Sequence, residues 1–229
     1  MIEVIDIHKR YRGRSVLNGA SFTVEKGQIT CLIGINGAGK STILKAIMGL
    51  TPLKAGTIRI DGQPLDKNMY ESIAFIPDHL TMPSGMKLSE GLRFMADFYK
   101  SWNPNRAEEL MKFFSLDQTE RIGNLSKGTA AKFNLMLGLA QDTEYVLMDE
   151  PFSGIDMFSR GLIAEVFSSH LIEDRGVLLT THEIGDIEHL IDRALLMKDG
   201  AICRDFNSEQ IRSEEGKSIV DVMREVYQA

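Results

Sequence analysis

The sequence predicts an α/β fold, with a largely parallel sheet as its core and an inserted helical segment. Three observations carry this prediction. Apolar runs typical of buried parallel strands occur at 29–33, 144–148 and 177–181. A glycine-rich stretch at 34–41 joins the first run to a segment with helical spacing, and helical periodicity dominates from about Leu88 to Leu139.

The other elements follow from the periodicity taken along the chain. Further strands are predicted at 2–7, 16–17, 20–24, 56–62, 72–76, 194–197 and 201–203, and helices at 43–48, 88–95, 107–111, 131–136, 158–171, through 188–190 and at 208–227. We expect one domain over 1–229. Residues 1–77 and 142–229 would form antiparallel strands and the sheet core, and about 78–141 would form the helical subdomain.

Composition is that of an ordinary globular protein. The 229 residues are 43% apolar and 25% charged, and the net charge of −6 gives no reason to expect a nucleic-acid partner. The two cysteines lack metal-ligand spacing and indicate thiols in a reducing compartment. No signal-peptide pattern opens the chain, and no apolar run approaches the ~20 residues that span a bilayer. We therefore expect any membrane function to need a second chain.

The stretch at 34–41, called the glycine loop below, reads Gly-Ile-Asn-Gly-Ala-Gly-Lys-Ser. It fits the phosphate-binding pattern G-x-x-x-x-G-K-[ST]. Glycines let successive backbone N–H groups turn toward an anion, and the following helix adds the positive end of its dipole. We expect Lys40 to contact the β- and γ-phosphates and the Ser41 hydroxyl to bind Mg²⁺. The loop thus predicts a site for a nucleoside triphosphate.

Two adjacent carboxylates, Asp149 and Glu150, end a buried strand, and His182 follows the next core strand. Ligands of α/β sheets bind at the carboxyl ends of strands, where the glycine loop also lies. Asp149 can therefore hold Mg²⁺, and Glu150 can accept the proton of an attacking water. His182 could hydrogen-bond the γ-phosphate. Taken alone, the carboxylates would also fit an exposed acidic turn and the histidine a surface position.

Together these features resemble the ATP-binding subunit of an ABC transporter over nearly the whole chain. The glycine loop resembles Walker A, 146–150 Walker B, 125–129 the signature Leu-Ser-Gly-Gly-Gln and 153–156 the D-loop. The family likeness implies a P-loop NTPase (RecA-like) core with an antiparallel β subdomain and an inserted α-helical subdomain. It implies that ATP is bound by Tyr11, which would stack on adenine, and by Asn36, Gly37, Ala38, Gly39, Lys40, Ser41, Thr42, Ser126, Gly128, Thr129 and Asp156. The implied catalytic residues are Lys40, Glu150 and His182, and the implied Mg²⁺ ligands are Ser41, Asp149 and Asp78.

The chain departs from the family pattern at three places. Ile35 replaces a common proline in Walker A, where only the backbone is used. Lys127 and Thr129 replace the third and fifth signature residues. Asp78 lies where the Q-loop glutamine is usual, and its shorter, charged side chain would bind Mg²⁺ or water differently.

The resemblance also implies partners. Two ATPase subunits, identical or different, would face head to tail, with each ATP between Walker A of one and the signature of the other. A separate transmembrane permease would hold them at the cytoplasmic face of the membrane. The Ser-Lys-Gly signature, the acidic Q-loop and the short helical insert resemble the single-domain ATPases of bacterial ABC-2-type exporters, among them antimicrobial-peptide and bacitracin-resistance-like systems. This resemblance implies export of a peptide, antibiotic or other amphipathic compound. A soluble ABC-type ATPase for metal-cluster assembly, or one acting on nucleic acid or ribosomes, remains the alternative.

Overall fold

The computed structural model describes residues 1–169, 172, 174–182, 184–185 and 187–228. The strands are β1 Ile2–Tyr11, β2 Arg14–Val24, β3 Ile29–Ile33, β4 Ala55–Ile60, β5 Gln63–Pro64, β6 Ile73–Ile76, β7 Tyr145–Asp149, β8 Gly176–Thr181, β9 Arg193–Lys198 and β10 Ala201–Asn207. The helices are α1 Lys40–Ile47, α2 Leu88–Phe98, α3 Pro104–Phe113, α4 Lys127–Leu139, α5 Met157–Phe167, α6 Ser208–Glu215 and α7 Ile219–Tyr227.

An antiparallel sheet in the order β2-β1-β4-β5 contains the N-terminal strands. The strands β1 and β2 form one long hairpin, so the separate short strands predicted at 16–17 and 20–24 are parts of a single strand. Arg12 and Gly13 at its tip have φ angles of 46° and 86°. Positive φ at both central residues matches the right-handed twist of the paired strands.

The core sheet has the order β10-β9-β3-β8-β7-β6, in which β10 alone is antiparallel to its neighbour. Its strands β7 and β8 are buried along their whole length, as parallel strands covered on both faces require. Because β3, β7 and β8 are parallel and adjacent, their carboxyl ends meet at one edge. That edge holds the glycine loop, the paired carboxylates and His182.

The helical segment shares its core with the sheet. Leu110 and Phe133, which are fully buried, belong to the same apolar cluster as Ile33 and Val146 of the sheet. Helix α4 lies so close to β6 that a Cβ on Gly138 would be 2.2 Å from Cγ1 of Ile76. The helix is therefore packed rigidly against the strand that leads to Asp78.

Three predicted helices differ from the observed ones. The helix expected at 158–171 is α5, which ends at Phe167, and residues 170 and 171 lie outside the described part of the chain. Glu188–Leu190 is a single 3₁₀ turn. The C-terminal helix is two helices, because Gly216 takes the left-handed conformation (φ 66°) that ends α6. The domain boundaries near 77 and 142 stay a prediction.

None of the helices in the described ranges combines the length and apolar character needed to cross a bilayer.

Candidate functional site

The glycine loop connects β3 to α1 through a backbone that needs glycine. Gly37 and Gly39 have φ angles of 82° and 112°, and a Cβ on Gly39 would lie 3.0 Å from the carbonyl oxygen of Val16. Helix α1 starts at Lys40, whose buried ammonium group donates a hydrogen bond to the Gly34 carbonyl oxygen at 2.7 Å. The lysine thus folds back over the loop that it follows.

The structure joins the glycine loop to the first carboxylate of the pair. Ser41 Oγ donates to Asp149 Oδ1 at 3.0 Å, and Thr180 Oγ1 donates to the same oxygen at 2.7 Å. Asp149 is only 3% exposed, so these hydroxyl groups provide the polar contacts that a buried carboxylate requires. A hydroxyl and a carboxylate oxygen side by side are hard ligands of the kind that Mg²⁺ prefers, with phosphate and water completing its shell.

Thr180 is a site residue to which the sequence analysis assigned no role. Its Oγ1 also accepts a hydrogen bond from the Glu150 backbone N–H at 3.0 Å. One buried hydroxyl therefore holds both acidic residues. The sequence signal that could have identified it is a polar residue at the end of an apolar core strand. The structure adds the register, in which Thr180 pairs with Asp149 of β7.

Glu150 lies at the centre of the predicted catalytic residues. Its carboxylate contacts Lys40 Nζ at 3.2 Å and His182 Nδ1 at 2.8 Å, and its side chain is 15% exposed. Its φ of 47° is unusual for a residue other than glycine and is the kind of backbone strain found at functional sites. Lys40, Glu150 and His182 are thus brought together as predicted.

The thiol of Cys31 lies beneath this cluster in β3 and is fully buried. Burial raises its pKa far above the ordinary value for a cysteine, and the negative charge of Glu150 adds to the effect. A neutral, buried thiol is unreactive. Cys31 therefore contributes packing, whereas Cys203 is exposed at the edge strand.

A cleft of about 360 Å³ runs from Tyr11 along the glycine loop to Glu150. Its lining includes the predicted nucleotide ligands Tyr11, Asn36, Gly37, Gly39, Lys40, Ser41 and Thr42. Tyr11 is 44% exposed, its hydroxyl forms a hydrogen bond with Thr51 Oγ1 at 3.1 Å, and the Lys9 ammonium group lies 4.8 Å from the centroid of its ring. Ala38, another predicted nucleotide ligand, does not line this cleft. Its side chain is buried, and its N–H donates a hydrogen bond to the Ile35 carbonyl oxygen at 3.1 Å.

The signature segment, 125–129, contacts the D-loop of the same chain instead of lining this cleft. Ser126 caps α4 by accepting a hydrogen bond from Thr129 N at 3.1 Å. Asp156 caps α5 through Ser159 N at 2.9 Å, and this hydrogen bond lowers the pKa of its carboxyl. A Cβ on Gly128 would lie 2.8 Å from Asp156 Oδ2, so the two caps pack together. Their predicted contacts with ATP stay a prediction.

Asp78 follows β6 and lines a second, smaller cleft that Glu150 also lines. Its Oδ1 lies 2.6 Å from His79 Nδ1, and its side chain is 56% exposed. Its predicted role as an Mg²⁺ ligand stays a prediction. Within the described ranges, no three His, Cys, Asp or Glu side chains are grouped so as to hold a metal ion without a ligand's help.

A glycine loop and two carboxylates at the carboxyl edge of a parallel sheet define a P-loop nucleotide hydrolase. The chain belongs to the ABC transporter family, whose profile matches residues 17–153. The Nod factor export ATP-binding protein I of Burkholderia lata is 30% identical over 231 residues, which cover 96% of this chain and 76% of that protein.

Two solved structures share the fold. One, described as the ATP-binding subunit of an ABC transporter, is 27% identical with a TM-score of 0.87 and covers 98% of each chain. The other is the ATP-binding cassette MJ0796, solved as a dimer in a post-hydrolysis state bound to ADP and Pi. It is 21% identical, with a TM-score of 0.80 over 90% of this chain and 98% of that one.

These similarities confirm the predicted family, the α/β P-loop fold and the ATPase activity. The chain is an ATP-binding, ATP-hydrolysing subunit of a transporter. ABC ATPase domains dimerise and work with transmembrane subunits. The roles of the individual residues stay predictions.

Proposed function

We propose that this chain is the ATPase subunit of an exporter, binding two ATP molecules between two head-to-tail subunits and driving a separate permease. The observation that carries the proposal is the division of the site. The cleft from Tyr11 to Glu150 holds the glycine loop, while the signature segment lies outside that cleft, against the D-loop. Each ATP would therefore need the signature segment of a second subunit.

Binding of ATP would reorganise the contacts of Lys40. The ammonium group is now shared between the Gly34 carbonyl and the Glu150 carboxylate. The β- and γ-phosphates would attract it more strongly than one carboxylate does, because they carry more charge. Glu150 would then be released to receive a proton. In this proposal, the same contact that holds the nucleotide also activates the base.

The remaining predicted ligands divide by the part of ATP that they would contact. Tyr11 would stack on adenine, and the loop residues Asn36, Gly37, Ala38, Gly39 and Thr42 would surround the phosphates. Ser41 and Asp149 would hold Mg²⁺, with Asp78 as a further predicted ligand. When bound, Mg²⁺ would offset the charge that develops on the transferred phosphoryl group.

Hydrolysis would use Glu150 as general base. Its carboxylate would take the proton of the attacking water. His182, whose Nδ1 lies 2.8 Å from Glu150 Oε2, would orient that carboxylate. Ser126, Gly128 and Thr129 of the second subunit would contact the γ-phosphate from the opposite side, together with Asp156. Loss of the γ-phosphate would remove the contact between subunits and let them separate.

The second subunit would also cover two exposed apolar residues. Met157 and Phe158 directly follow Asp156 and are 78% and 84% exposed. Large apolar side chains with this exposure beside a conditional interface are typical of surfaces buried on association. A homodimer is chemically sufficient, because one chain carries both halves of a site, and a heterodimer would serve equally.

The permease would dock in an apolar groove of about 650 Å³ between β6 and α2. The groove is lined by Leu80, Met82, Met86, Phe94 and Tyr99, among others, and Pro77 lines both this groove and the Asp78 cleft. An amphipathic helix from the cytoplasmic side of a permease fits such a groove. This partner would place the chain at the cytoplasmic face of the membrane. The export activity in the name of the Burkholderia lata relative supports the export direction, and we propose a peptide, antibiotic or other amphipathic compound as the cargo.

The test is the variant Glu150→Gln, with Glu144→Gln as the control at an exposed carboxylate in the preceding loop. Loss of the base should leave ATP binding intact and trap an ATP-dependent dimer, measured by size-exclusion chromatography with and without ATP and Mg²⁺. Hydrolysis of ATP by Glu150→Gln at the wild-type rate would overturn the assignment.

Co-purification tests the permease part of the proposal. A membrane protein retained with the wild-type chain supports it, provided that Phe94→Asp in the groove loses the partner. Retention on ribosomal RNA or DNA at physiological salt would instead favour the nucleic-acid alternative, and a soluble metal-cluster partner would favour the assembly alternative.

A further inference from the structure

The small cleft beside Glu150 brings together the two charged side chains that depart from the family pattern. Asp78 and Lys127 are 49 positions apart in sequence, and both line this cleft of about 120 Å³ with Glu150. Among the described residues that line it, Lys127 is the only lysine or arginine, and Asp78 and Glu150 are the carboxylates. His79, which forms a hydrogen bond with Asp78, is the remaining titratable residue among the described residues that line the cleft.

Helix α4 holds these groups in place. Asn134 Nδ2 donates to the Pro77 carbonyl oxygen at 2.7 Å, which ties the helix to the end of β6 immediately before Asp78. Lys127 precedes Asn134 by seven residues, which is two turns, so the two side chains lie on one face of α4. The face that anchors Pro77 is therefore the face that presents Lys127.

Lys127 reaches the cleft across the D-loop. Gly154 has a φ of 62°, and a Cβ added there would be 2.0 Å from Lys127 Nζ. Glycine has no Cβ to displace the lysine and adopts this φ without strain, so the lysine side chain can cross the loop at this point. The ammonium group thus lies beside Gly154 of the D-loop, and Ser153 of the same loop also lines the cleft.

We propose that Lys127 is a positioning residue for ATP hydrolysis, whose ammonium group offsets the repulsion between Asp78 and Glu150 across the cleft. Two carboxylates that line one small cleft repel each other, and an ammonium group that lines the same cleft lowers that cost. Lys127 would serve the Asp78 side of Glu150 as Lys40 serves the other side. The inference rests on the proposed role of Glu150 as base.

The test is a double-mutant cycle on purified protein, using Lys127→Met and Asp78→Asn with kcat and KM for ATP as readouts. Lys127→Met should lower kcat about tenfold and leave KM within about twofold, because the described cleft lining then keeps Asp78 and Glu150 but no ammonium group. Asp78→Asn alone should lower kcat about twofold. The double variant should recover to within about threefold of wild type, since one carboxylate no longer needs an offsetting charge.

Two further variants separate charge from structure. Lys127→Arg keeps the charge and should retain most of the wild-type kcat. Lys132→Met removes a lysine from the same helix at a position outside the cleft lining, and it should leave kcat unchanged. Thermal unfolding of each variant checks that α4 is intact.

A double variant at least as slow as the product of the two single effects, about twentyfold below wild type, would overturn the proposal, because the two residues would then act independently. A rise in KM without rescue by Asp78→Asn would also overturn it and indicate direct phosphate binding by Lys127. Failure of the proposed function is a different result, since it would appear as hydrolysis by Glu150→Gln whatever the outcome of the cycle.

Discussion

Thr180→Val removes the one hydroxyl that holds both acidic residues of the site. Thr180 is fully buried, and its Oγ1 donates to Asp149 Oδ1 at 2.7 Å while accepting from Glu150 N at 3.0 Å. Valine has nearly the same shape, so the change removes hydrogen bonds without opening a large cavity. The perturbation therefore isolates the hydroxyl.

The expected loss of stability follows from the two bonds. A hydrogen bond to a charged group contributes about 1.5–3 kcal/mol. The hydrogen bond that the Glu150 N–H loses adds less to the loss of stability, because this N–H keeps the Thr180 carbonyl oxygen at 3.1 Å as a second acceptor. We expect the free energy of unfolding to fall by about 2–3 kcal/mol, which lowers Tm by about 4–12 °C in a chain of this size.

Calorimetry of the wild type, Thr180→Val and Thr180→Ser measures this loss, with serine restoring the hydroxyl and much of the stability. The matched control is Thr30→Val in β3, where an equally buried threonine donates only a 3.4 Å hydrogen bond to Gln28 Oε1. We expect Thr30→Val to lower the free energy of unfolding by less than about 1 kcal/mol. Equal Tm values for Thr180→Val and wild type would refute the reasoning, and a higher Mg²⁺ requirement for ATPase activity would support the role of Thr180 in orienting Asp149.

Two other predictions concern the stacking of Tyr11 on adenine and the ionic contacts of Asp61. Tyr11→Ala should raise KM for ATP about 5- to 150-fold, because stacking of a base on an aromatic ring contributes about 1–3 kcal/mol; Tyr11→Phe keeps the ring and should stay near wild type, and equal KM values for alanine and phenylalanine would contradict stacking. Burial would raise the pKa of Asp61, but hydrogen bonds from the N-terminal ammonium group and from Tyr145 outweigh it and lower the pKa from 3.8 to about 2. Since the folded pKa is depressed, the stability from Asp61 is present above pH 3.8 and disappears as pH falls toward 2. The Tm difference between wild type and Asp61→Asn should therefore shrink over that range, and a difference that is independent of pH would count against the ionic contacts.

Much of the site could be predicted from neighbours in sequence. A strand, a glycine loop and a helix starting at Lys40 form one continuous segment, so its pattern and its geometry coincide. Asp149 and His182 were expected at the same edge because parallel strands in an α/β sheet expose their carboxyl ends together. The ends of elements were less certain, since the helix predicted to reach residue 171 ends at Phe167.

The amino-acid sequence by itself determined the family, the nucleotide and the order of the motifs, because these depend on residue types at short, regular spacings. Only the tertiary structure decided which distant side chains meet. It paired Lys40 with Glu150, placed Thr180 between the two acidic residues and put Lys127 in the cleft of Asp78. The physical reason is that such contacts depend on how helices and strands pack and on the rotamers that packing allows. The periodicity of the sequence predicts neither this packing nor these rotamers.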